Sequence, residues 1–144
     1  MLTDTQSPTM PSVTTYLAIE KWDEDRTIQT TPRVTPAHVI YKIPDLEGSI
    51  DSNYLMTYTK GGNASFIFTD TVKSDNFSGK KGSFIAQGKG SFDASSYTVM
   101  GSFNIVEGSG VDGMAGVKGF GSFESAPSKE QPTRVRWTCM MEDS

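Results

Sequence analysis

The chain has 144 residues, of which 35% are hydrophobic and 10% aromatic, with 14 glycines. That is the size of one ordinary domain with apolar material for one core, and it excludes a disordered chain. Thirteen basic residues scattered among seventeen acidic ones give a formal net charge of -4. Nucleic acid and anionic membrane surfaces are therefore disfavoured as partners, since both call for clustered Lys and Arg.

No stretch approaches the ~20 apolar residues of a membrane span. The opening MLTDTQSPTMPS has neither a basic start nor an apolar run, so no secretory signal is expected and a cytoplasmic location is the simplest reading. The single cysteine, Cys139, excludes an intrachain disulfide.

Residues 1–12 are polar and carry prolines, and they read as a disordered tail before one domain over 13–144. From Val13 the pattern alternates, with Tyr16, Ala18, Glu20 and Trp22 on one strand face and Leu17, Ile19 and Lys21 on the other. Residues 23–32 read as a polar loop. A second strand is predicted over Arg33–Ile43, with Pro36 marking an edge or bulge. A third spans 46–60 and closes on Gly61-Gly62-Asn63, a hairpin turn. A fourth spans 63–72, with Ala64, Phe66, Phe68, Asp70 and Val72 on one face; 74–81 is turn-like.

Gly-Ser-Phe then recurs at 82–84, 90–92, 101–103 and 121–123. Each Phe suits a short strand, and each Gly permits a sharp bend or a close approach of another chain. The irregular spacing is that of a meander coiling into a barrel, not of a solenoid or propeller. A last strand over 133–141 alternates Val135, Trp137, Cys139 and Met141 against Arg134, Arg136, Thr138 and Met140. About eight strands and no sustained helical period define an all-β chain, a single closed antiparallel barrel without sheet edges.

The run from Gly108-Ser109-Gly110-Val111-Asp112-Gly113 to Gly119-Phe120-Gly121-Ser122-Phe123 resembles the closing hairpin of the allene oxide cyclase-like barrels. Within these it most resembles an uncharacterised bacterial family of small barrels, a domain of unknown function. Lys21-Trp22-Asp23-Glu24, Leu46-Glu47-Gly48, Tyr54-Leu55-Met56, Ala64-Ser65-Phe66-Ile67 and Gly82-Ser83-Phe84-Ile85-Ala86-Gln87 extend the resemblance over about residues 14–141. It implies an eight-stranded barrel with an apolar lumen and no assigned reaction. The plant cyclases carry a catalytic glutamate on their first strand before a charged loop. Glu20, followed by Asp23-Glu24-Asp25-Arg26, matches that place, and Trp22 stands where those cyclases carry a polar amide.

Other motifs favour ordinary structural roles. Gly108–Gly113 fits GxGxxG, but a dinucleotide site needs a helix next, and Gly116, Gly119 and Gly121 forbid one. His38, the only histidine, has no nucleophile elbow to serve and reads as an ordinary strand residue. Cys139 reads as a buried small hydrophobe. Asp23, Glu24 and Asp25 read as a solvated loop; no metal or cofactor is expected.

Glu20, Asp70 and Glu107 lie in strands rich in apolar residues. A carboxylate inside an apolar barrel has a raised pKa and suits acid–base work. Glu20, beside Tyr16 and Trp22, and Asp70, beside Phe66 and Phe68, are the catalytic candidates; the four aromatics, with Gln87 and Asn104, are the ligand-binding candidates. Alternation alone does not say which face is inside. Three functions fit: a module binding a small apolar ligand in its lumen, a cyclase or isomerase acting on a flexible hydrophobic substrate, or a filled barrel with a structural or interaction role. Self-association into a homo-oligomer is compatible with each.

Overall fold

The computed structural model describes residues 12–125 and 133–140. The predicted tail, except Ser12, and Met141 lie outside the described residues. Nine strands follow in chain order: β1 Ser12–Glu24, β2 Arg33–Ile43, β3 Gly48–Tyr58, β4 Ala64–Phe77, β5 Lys80–Asp93, β6 Thr98–Ile105, β7 Val111–Asp112, β8 Lys118–Glu124 and β9 Thr133–Met140. All pairings are antiparallel. Each strand from β1 to β5 pairs with its successor; β6 passes to β8, β8 to β9, and β9 back to β1. Eight strands thus close a ring, and the two-residue β7 lies against β5. The described residues contain no α-helix, only short 3₁₀ turns at Pro44–Leu46 and Lys60–Gly62.

The turns follow local chemistry. Ser78 and Gly79, both at positive φ (53° and 83°), form a two-residue hairpin between the paired Phe77 and Lys80, the backbone sense that matches strand twist. The predicted turn region from 74 is therefore mostly strand: β4 continues through Phe77, with a register shift after Ser74.

The inner face is set by alternation. Val39, Ile43, Ile50, Val72, Phe77, Phe84, Trp137 and Cys139 are all nearly inaccessible to solvent. Phe77, Phe84 and Trp137 meet edge-to-face, with centroids 5.4–6.5 Å apart, a favourable arrangement for aromatic quadrupoles. The Gly-rich segment after β6 turns back beneath these rings, and Met114 and Val117 from it are fully buried. One end of the ring is therefore stoppered. The Gly-Ser-Phe recurrences pack this interior. A Cβ on Gly101 would lie 2.3 Å from Phe123 Cζ, and one on Gly121 would lie 2.3 Å from Phe103 Cζ.

β1 departs from simple alternation. Ile19 pairs with Tyr41 and Lys21 with Ile40, so Glu20 is an extra residue in a bulge. A bulge shifts the side-chain period by one. Before it, Thr15 is the buried residue; after it, Trp22 and Glu24 turn inward, opposite Val39 and Ala37.

Candidate functional site

Above the Trp137 layer the ring is hollow. A cavity of about 600 Å³ is lined by Trp22, Tyr41, Tyr54, Met56, Phe66, Asp70, Phe103 and Phe123, among others. That lies within the ~300–1,000 Å³ typical of small-molecule sites. It reaches the end that carries the β1–β2, β3–β4 and β5–β6 connections.

The floor holds the polar groups. Asp70 sits across the ladder from Ser52 on β3 and Ala86 on β5. Among the described residues its Oδ1 is buried without a hydrogen-bond partner, and so is Ser52 Oγ. Burial raises the Asp70 pKa to about 7; Ser52 offsets this in part, without a well-formed hydrogen bond, and the charge of Asp51 adds to it. Tyr41 and Tyr54 share a 2.7 Å hydrogen bond between hydroxyls. Burial pushes the Tyr41 phenol up to about 12 and Tyr54 well above the ordinary range, so both stay neutral. Tyr54 also joins a ring cluster, with Phe66 at 5.4 Å, Phe68 at 5.7 Å and Trp22 at 6.2 Å.

A second polar knot stands near the mouth. Glu24 accepts three hydrogen bonds: Tyr58 Oη donates to its Oε2 at 2.6 Å, Thr35 Oγ1 donates to the same Oε2 at 2.7 Å, and Trp22 Nε1 donates to its Oε1 at 3.2 Å. Partial burial would raise the Glu24 pKa, but these donors outweigh it and hold the carboxyl below its usual range. They also fix the Trp22 ring over the cavity.

The structure divides the candidates. Asp70, Trp22 and Phe66 line the cavity, and Phe68 packs beside them. Glu20 does not: the bulge leaves it on the outer wall, half exposed, 3.6 Å from Lys42 Nζ. Tyr16 is also outside, 52% exposed and opposite Arg134. Gln87 and Asn104 face each other on the exterior of β5 and β6, because the inward residues there are Ala86, Phe103 and Ile105. Glu107 pairs with Lys118 at the surface. His38 bonds Asp51 at 2.7 Å on the outer wall. Sequence reading missed Tyr41, Tyr54, Ser52 and Glu24. Period-two alternation through Ile50, Ser52, Tyr54 and Met56 was the available signal, with a serine and a tyrosine interrupting an apolar face.

The class is thereby defined: a closed eight-stranded antiparallel barrel, packed at one end and hollow at the other. Residues 13–136 match the family model described as protein of unknown function (DUF3224), and the chain belongs to that family. It is similar to the crystal structure of a DUF3224 family protein of unknown function from Shewanella oneidensis MR-1. The two share 17% sequence identity over 94% of this chain and 99% of that one, with a TM-score of 0.72, a likeness of fold. No curated protein matches the chain. No described helix is long and apolar enough to cross a membrane.

Proposed function

We propose that the protein is a small-molecule binding module whose lumen takes up a largely apolar ligand. The observation that carries this reading is the cavity of about 600 Å³, walled by aromatic rings and floored by Asp70 and the tyrosine pair. An apolar wall with a few convergent polar groups is the usual composition of a ligand site. A filled structural barrel would leave no such space. A cyclase- or isomerase-type activity is the second reading. It is favoured by Asp70 alone, a carboxyl with a pKa of about 7 that suits proton transfer near neutrality.

The test uses N-phenyl-1-naphthylamine, a neutral probe whose emission rises in apolar surroundings. It should bind saturably, one per chain, and quench Trp22 by energy transfer, with a smaller donor signal in Trp22→Phe. Emission that climbs without saturation would sink the reading.

A further inference from the structure

We propose that the lumen holds an apolar amine, with its protonated nitrogen against the Asp70 carboxylate and its hydrocarbon part among the aromatic rings nearer the mouth. The inference rests on the binding-module reading and names the chemistry of the occupant.

Among the described residues Asp70 has no counter-ion. No lysine, arginine or histidine stands among the described residues that line the cavity. Its Oδ1 and the Ser52 Oγ opposite are both buried and, among the described residues, unsatisfied, and the hydrogen bond between Tyr41 and Tyr54 takes up one of their two hydroxyl protons. Buried carboxyls in native proteins are paired, neutralised or hydrogen-bonded. Here the missing partner is a donor, and the space beside it is a cavity.

Three headgroups can be compared on that ground. A carboxylate or phosphate would bring a second negative charge to Asp70 and no donor. A hydroxyl would bring one donor and no charge. An ammonium brings three donors and the opposite charge, enough for Asp70 Oδ1 and Ser52 Oγ together. The rings of Tyr54, Phe66 and Phe68, 5.4–6.2 Å apart, add π-faces that attract a desolvated cation.

Proton linkage follows. The groups facing Asp70 are Tyr41 from β2 and Tyr54 from β3, both neutral, and Ser52 from β3 and Ala86 from β5, which carry no charge; Asp51 on β3, bonded to His38, is a charge that acts on it. Burial moves the Asp70 pKa up to about 7, so amine affinity should rise with pH through that range, while the amine stays protonated up to its own pKa of ~10.

Calorimetric titration of the full chain with decylamine, 1-decanol and decanoate tests the idea, because the three share one tail. Decylamine should bind about ten-fold more tightly than decanol, and decanoate most weakly. Asp70→Asn should abolish the preference for amine, so that decylamine binds no more tightly than decanol. Equal binding of alcohol and amine, tighter binding of decanoate, or an amine preference that survives Asp70→Asn overturns the proposal and leaves the lumen a binding site. Failure of all three to bind overturns that reading as well. Should Asp70→Asn not fold, the wild-type pH profile decides: decylamine affinity must rise through neutral pH while decanol stays flat, and a flat amine profile overturns the assignment.

Discussion

Phe103 on β6 lies across the ladder from Gly121 on β8, and its ring fills the space that a side chain on Gly121 would occupy. The relation is reciprocal two residues along, where Phe123 covers Gly101. The Gly-Ser-Phe triplets of β6 and β8 thus form a packing unit: glycine and phenylalanine face inward, serine outward, and the antiparallel neighbours set ring over gap.

Gly121→Ala should therefore destabilise the fold by about 1–3 kcal/mol through overpacking. The added methyl would also press on the Arg136 carbonyl oxygen, 2.3 Å from the ideal Cβ position. Chemical denaturation would show it as a lower midpoint at unchanged slope; a midpoint equal to wild type would contradict this packing.

Trp137 is 1% exposed and touches Phe77, Phe84 and Phe103. Trp137→Ala should cost on the order of 3–5 kcal/mol, as for other large aromatics removed from cores. A variant with wild-type stability would show that β9 is not integral to the core.

Asp70 makes stability depend on pH. Its folded pKa of about 7 stands above the ordinary 3.8, so the unfolded chain releases this proton more readily. The contribution is neutral below pH 3.8 and grows unfavourable up to about pH 7, reaching on the order of 3–4 kcal/mol. Asp70→Asn should raise stability above pH 7 and remove much of that slope. Urea titrations at several pH values would measure both, and identical profiles would refute the burial of this charge.

Glu20→Gln should change stability by less than about 0.5 kcal/mol, since its ion pair with Lys42 is half exposed and such pairs contribute little. Probe binding should also be unaffected. A loss of binding in this variant would place Glu20 at the lumen after all.

The strands were legible where hydrophobic alternation is uninterrupted. The second strand was predicted with its observed limits, Arg33–Ile43, and the Val135, Trp137, Cys139 face is buried as the pattern required. Asp70 was placed beside Phe66 and Phe68 for the same reason. β1 was misread because a bulge carries no residue signature of its own: one extra residue at Glu20 moved Tyr16 and Glu20 outside and turned Glu24 in. Gln87 and Asn104 were misplaced because alternation groups residues by face without saying which face closes on the core. The β2–β3 tyrosine bridge joins strands through their side chains and could be seen only once the register was fixed.

The stopper formed by Met114 and Val117 has an evolutionary consequence. It places the tightest packing, around Trp137, at one end of the ring, and the candidate recognition groups at the other. Substitutions among the rings near the mouth can reshape the hollow half at modest energetic penalty, while the plugged half goes on specifying the fold. In a scaffold divided in this way, point mutation can change the shape of the hollow half with no need to reinvent the architecture.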